Sequence, residues 1–149
     1  MTLPKSLRPR YRYLFVEVET EFDRQVDESG LRRAAWYESQ NLMGDLGSAE
    51  TEVEVLELES GLAVVRCRRD EVERTRAALA CVTEVDGVDV GVRVLGVSGT
   101  LRAGRRRYEV DEAVETDVDG RAAVRRGARV DVRSGERHRV ICGTTYDFE

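Results

Sequence analysis

Valine occupies positions 88, 90, 92 and 94, with Asp89, Gly91 and Arg93 between. A period of two is the signature of a strand buried on one face, and it excludes a helix over those residues. Such a strand must pair with others whose apolar residues fall on the same face. Three further stretches qualify. Tyr11 to Thr20 sets Leu14, Val16 and Val18 on one face and Tyr11, Tyr13 and Phe15 on the other. Thr51 to Glu59 and Leu62 to Arg68 read as two more strands, joined at Gly61.

Two helices are expected between the strands. Asp27 or Ser29 begins the first; Leu31, Ala34, Ala35, Leu42 and Leu46 recur at helical spacing, and Gly44 and Gly47 mark its end. Asp70 is the expected N-cap of the second, with Glu73 three positions on and an apolar stripe at Val72, Leu79 and Val82. Trp36 is expected in the core or an interface. The order β-α-β-β-α-β predicts an α+β sandwich: a four-stranded antiparallel sheet with both helices on one face. This is the ferredoxin-like arrangement, shared with RNA-recognition domains. The other sheet face is expected to be open to a partner.

The texture changes at Glu109. An acidic run through Asp119 precedes an arginine-rich run from Arg121 to Arg139. Within it, Ala128 to Arg133, Ser134-Gly135-Glu136 and Arg137 to Cys142 have the pattern of a β-hairpin. The reading is a domain over 1–108 with a charged C-terminal appendage over 109–149.

Charge supplies the functional signal. The chain carries 24 basic and 29 acidic residues, and Lys5 is its sole lysine. An acidic, lysine-poor composition fits adaptation to high salt, as in halophilic archaea; GC-rich codon usage explains arginine over lysine equally well. Two islands break the pattern. Lys5, Arg8, Arg10 and Arg12 stand among the first twelve residues without an acid, and Arg102, Arg105, Arg106 and Arg107 follow the turn Gly96-Val97-Ser98-Gly99. Arginine forks suit phosphates, and a glycine turn brings backbone N–H groups close to an anion. The expected RNA-binding set is therefore Arg102, Arg105, Arg106, Arg107, Ser98, Gly99, Lys5, Arg8, Arg10 and Arg12. Tyr11, Tyr13 and Phe15 are expected at a protein-partner interface, because the third strand lacks the aromatics of a base-stacking RNA-recognition motif.

Other chemistries are weaker. Cys67, Cys81 and Cys142 lie far apart and His138 is the single histidine, so no zinc-ligand spacing exists. Ser98 lacks the Gly-x-Ser-x-Gly elbow, and no Gly-Lys-Ser/Thr follows the glycine turn. No stretch reaches membrane-spanning length and no signal-peptide core opens the chain, so a cytoplasmic protein is expected, with no membrane partner.

Four segments resemble the small α/β subunit of archaeal and eukaryotic ribonuclease P, which has an RNA-recognition-like fold. They are Leu3 to Tyr13, Trp36 with Leu42 to Gly47, Arg66-Cys67 with Val72 to Leu79, and Val92 to Leu101. The resemblance spans roughly residues 3 to 108, and the arginines and acids standing where the family often carries lysine fit a halophilic archaeal member. The resemblance implies a role in tRNA processing within a ribonucleoprotein endonuclease, a hydrolase that removes the 5′ leader from precursor tRNA. Catalysis would belong to the RNA subunit with Mg²⁺; this chain would hold no catalytic residue, no metal and no cofactor of its own. Implied partners are the ribonuclease P RNA, a barrel-shaped protein subunit and other ribonuclease P proteins, precursor tRNA as the substrate, and a second copy of the chain. The alternative is an RNA-independent ferredoxin-like module for ligand sensing or protein scaffolding.

Overall fold

The computed structural model describes residues 2–21 and 24–108, together with the backbone of 114–118, 121–126, 129–134 and 139–144. Two compact units result, Met1–Tyr108 and Glu109–Glu149.

In the first unit, β1 (Tyr11–Thr20), α1 (Glu28–Thr51), β2 (Glu54–Glu59), β3 (Leu62–Arg68), α2 (Val72–Ala80), β4 (Glu84–Val85), β5 (Val88–Ser98) and α3 (Leu101–Tyr108) follow in order. The sheet runs β2-β3-β1-β5-β4. With the two-residue β4 set aside, this is the strand order expected of the ferredoxin-like arrangement. The expectation of four strands is corrected to five. Asp86 and Gly87 both take positive φ, 49° and 80°, between the paired Val85 and Val88. Two such residues form the tight turn that matches strand twist, so Asp-Gly builds a short hairpin here. Ser60 and Gly61 do the same between Glu59 and Leu62.

Leu14, Val16 and Val18 of β1 meet Ala63, Val65 and Cys67 of β3 and Val55 of β2 beneath Leu31 and Ala35 of α1 and Leu79 of α2. The valine alternation of β5 holds through Val94 and then shifts. Val16 faces Val94 and Phe15 faces Gly96, leaving Leu95 as an extra residue in β5. This bulge returns Val97 to the core face and turns Gly96 and Ser98 to the other.

Several expected boundaries are corrected. α1 begins after Asp27, whose carboxylate accepts from Gly30 N at 2.7 Å. It does not stop at Gly44: that residue kinks it at φ 70°, and helix resumes to Thr51. Around the kink the apolar stripe leaves the core: Leu42, just before it, and Leu46, just after it, are 49% and 75% exposed. Trp36 is likewise exposed rather than in the core. Asp70 does not cap α2; it lies in a 3₁₀ turn, Arg69–Glu71, that precedes it.

The larger correction concerns the face expected to be open. α3 lies on it, against β1 and β5. Both faces of the sheet centre are therefore covered, and Phe15 and Val64 are buried on the α3 side.

The second unit is an antiparallel four-stranded meander, β6 (Val114–Val118), β7 (Arg121–Arg126), β8 (Arg129–Ser134) and β9 (Arg139–Thr144). The expected hairpin corresponds to β8 and β9, with Arg129 opposite Thr144 and Ser134 opposite Arg139. Gly135, Glu136 and His138 lie outside the described residues.

Candidate nucleic-acid interface

The site is built from the end of β5. Ser98 Oγ donates to Thr100 O at 2.8 Å and accepts from Thr100 N at 3.3 Å. This pair of hydrogen bonds folds the chain back sharply. Thr100 then caps α3, its Oγ1 accepting from Ala103 N at 3.2 Å. Ser98 is thus a turn-forming residue, its hydroxyl committed to its own backbone.

Leu101, Gly104 and Tyr108 recur at helical spacing and face the sheet. Gly104 rests directly on the Phe15 ring, where a β-carbon would collide with it. Tyr108 stacks on the same ring at 5.3 Å and 26°, and its hydroxyl occupies the space a side chain at Gly96 would need. Two glycines therefore form the seat of α3, one on the helix and one on the strand. The seat was legible in principle: Thr100 before an i, i+3, i+7 pattern is a capped helix, obscured by the intervening arginines.

Docking sorts the basic island. Arg102, Arg106 and Arg107 are exposed on the outer side of α3. Arg107 also lies 5.6 Å from the Tyr108 ring centroid, a cation–π distance. Arg105 points the other way and pairs with Glu57 of β2 at 2.7 Å. There it acts as a clasp that ties α3 to the far strand. Gly99 stays exposed, with the Arg12 guanidinium about 3.6 Å from where its side chain would begin. The structure therefore brings Arg12, Ser98, Gly99 and the start of α3 together. Lys5, Arg8 and Arg10 belong to a separate exposed segment: Lys5 opens a 3₁₀ turn, Arg8 Nε donates to Leu3 O at 2.8 Å, and Arg10 O accepts from Arg69 N at 2.9 Å.

The aromatic set divides as well. Phe15 is fully buried beneath α3, so it is corrected from a partner contact to the anchor of the chain's own helix. Tyr13 is half-buried, between Arg66 and Ser98 in the register. Tyr11 is half-buried in a polar cluster. Its Oη donates to Glu52 Oε2 at 3.0 Å, Arg68 pairs with Glu52 Oε1 at 2.8 Å, and Arg66 lies 4.5 Å over its ring.

The Arg68 guanidinium holds the Glu52 carboxyl below its usual range, while the hydrogen bond to Glu52 raises the Tyr11 phenol. A lowered carboxylate contributes stability above its ordinary pKa and loses it as pH falls through the lowered value. A raised phenol contributes below its ordinary pKa and loses it as pH rises through the raised value. Glu52→Gln is expected to flatten both limbs of the stability–pH curve, measured as urea midpoints. Both partners of the ion pair are more than a third exposed, so the acid-side change should stay under about 1 kcal/mol. Unchanged limbs on both sides would show that the cluster is not held in solution.

A sequence profile of the Rpp14/Pop5 family matches residues 12–109. A protein of Halobacterium salinarum named ribonuclease P protein component 2 is 44% identical over 158 aligned residues, covering 95% of this chain and 96% of its own. One of the same name from Halorubrum lacusprofundi is 48% identical over 110 residues, covering 71% of this chain and 69% of its own. Both come from halophilic archaea, a source that the acidic, lysine-poor composition fits. Among solved structures, a chain of the yeast ribonuclease MRP cryo-EM structure superposes with a TM-score of 0.52 at 19% identity, over 66% of this chain and 80% of that one. At that identity the likeness is one of fold.

Proposed function

This chain belongs to the Rpp14/Pop5 family and is a ribonuclease P protein subunit of the halophilic archaeal kind, and from that premise we propose that it supports a catalytic RNA without cutting the substrate itself. The observation that carries this is the outer side of α3. Arg102 and Arg106 are exposed there without an ion pair among the described residues, on a chain whose net charge is −5. Exposed guanidinium groups in an acidic protein lower the local repulsion toward RNA and supply forks for phosphate oxygens. Arg12 and the exposed Gly99 continue the positive surface past the start of the helix.

In this reading the complex removes the 5′ leader from precursor tRNA by endonucleolytic hydrolysis in the cytoplasm, and Mg²⁺ serves the RNA subunit. The protein raises the RNA's occupancy of its active shape by neutralising phosphates that would otherwise repel one another. Other ribonuclease P proteins are its partners. We assign the half-exposed Tyr11 and Tyr13 to the contact with the barrel-shaped subunit. Adding the chain to the RNA and the other protein subunits should raise precursor-tRNA cleavage at limiting Mg²⁺. No change in rate would overturn the supporting role.

The second unit is accessory in the same reading. Asp131 and Glu136 interrupt its arginines, and a phosphate groove would exclude carboxylates there. A chain stopped after Glu109 is therefore expected to unfold cooperatively in urea and to stimulate cleavage as the full chain does, while losing solubility at molar salt. A large loss of stimulated rate at matched Mg²⁺ and salt would make residues 110–149 part of the functional surface.

A further inference from the structure

A second positive surface lies apart from α3. A cleft of about 710 Å³ opens between the N-terminal segment, the last turn of α1 and the β3–α2 corner. The bond from Arg69 N to Arg10 O holds the extended N-terminal segment against that corner. Arg8, Arg10, Arg68 and Arg69 all line the cleft. Their carboxylate neighbours are largely engaged elsewhere. Glu50 and Glu71 share Arg74, at 3.1 and 3.3 Å, and Arg68 is taken by Glu52. Among the described residues, Arg8, Arg10 and Arg69 carry no ion pair, and Asp70 is the single cleft carboxylate without one.

Pockets for small metabolites have similar volumes, roughly 300–1,000 Å³, but are lined mainly by apolar and aromatic groups. This one is walled by charge. Three guanidinium groups without an ion pair, set against the single unpaired carboxylate of Asp70, beside an open groove match a run of phosphodiesters, each offering two acceptor oxygens to a planar fork. We infer that this cleft, through Arg10 and Arg69 with Arg8 beside them, grips the RNA sugar–phosphate backbone as a second contact separate from α3. The inference rests on the ribonuclease P reading and adds Arg69, a residue outside both basic islands of the sequence.

The test uses the full chain and a labelled ribonuclease P RNA transcript. Affinity is measured over a series of KCl concentrations at which circular dichroism shows the chain folded. Arg10→Gln with Arg69→Gln should reduce the slope of log affinity against log salt by about 1.4 to 1.8, because each phosphate contact contributes roughly 0.7 to 0.9. The backbone bond between these two residues survives the change. Asp70→Asn should act with the opposite sign and tighten binding roughly two- to fivefold, the scale of one exposed charge. Both results together support the cleft. An unchanged slope in the double variant, while Arg102→Gln with Arg106→Gln and Arg107→Gln lowers it, overturns the cleft and leaves the ribonuclease P reading intact. Unchanged slopes in both variants overturn the RNA-binding reading of the surface and the cleft with it. Inorganic phosphate is the remaining arm: if it binds the native cleft but the RNA slope ignores Arg10 and Arg69, the site serves free phosphate and the inference fails.

Discussion

Gly104→Ala is expected to destabilise the first unit by about 1–3 kcal/mol net of the roughly 1 kcal/mol that alanine gains in helix propensity, although it adds a single methyl group. The added carbon would collide with the Phe15 ring, which is fully buried and has no room to withdraw. Overpacking of a filled site costs roughly 1–3 kcal/mol, and lifting α3 also loosens the Phe15–Tyr108 stack, worth about 0.5–1.5 kcal/mol more. The sign makes this test sharp. On a helix standing free in solvent, glycine to alanine is stabilising by about 1 kcal/mol. A loss in the urea midpoint therefore reports docking, and a gain would show that α3 does not rest on the sheet. Gly104→Ala combined with Phe15→Leu should recover part of the loss, since the smaller side chain leaves space for the methyl. Full additivity of the two changes would place them out of contact.

The same seat explains what the sequence could and could not disclose. β1, β3 and the first part of β5 were legible because burial on one face imposes a period of two, and nothing competes with it over those residues. Leu62 to Arg68 was placed at both ends. The valine alternation, however, suggested one continuous face, whereas the bulge at Leu95 turns Gly96 and Ser98 outward. That shift decides what Gly96 is for. Within Gly96-Val97-Ser98-Gly99 the glycine suggests close backbone approach to an anion; in the fold it makes room for the Tyr108 hydroxyl.

Alternation gives the phase of the aromatic face but not what covers it. Tyr11, Tyr13 and Phe15 do lie opposite the core residues Leu14 and Val16, as alternation requires. The cover over Phe15 comes from the helix that the second basic island itself forms, at the far end of the domain's sequence. Local patterning carries no information about such a pairing. The arginines were visible as a cluster but not as a helix face. Only docking separates Arg105, paired with Glu57, from Arg102, Arg106 and Arg107, which remain exposed. Arg69 gave no signal at all, because its role depends on the N-terminal segment folding back to it.

Exposed charge on a seated helix leads to the second large effect. Arg102→Gln, Arg106→Gln and Arg107→Gln together are expected to lower the salt slope of RNA binding by about 2 to 3, at roughly 0.7 to 0.9 for each phosphate no longer neutralised. Stability should fall by no more than about 1 kcal/mol, since of the three only Arg107 touches the seat, through its cation–π contact with Tyr108. Stimulated precursor-tRNA cleavage should fall at low protein concentration and return as the protein is raised, because occupancy is lost and the reacting groups are untouched. Lysine at the same three positions should restore much of the slope but less of the affinity, as it keeps the charge and loses the planar fork. Gly104→Ala provides the complementary case: every arginine is retained, but the helix that orders them is lifted. If binding depends on their placement, that variant should lose affinity while its salt slope stays close to native. A glutamine variant with native slope would remove α3 from the RNA surface. A Gly104→Ala variant that is destabilised yet binds as the native chain does would mean that net charge alone, without the seat formed by Phe15, Tyr108 and Gly96, is what the RNA reads.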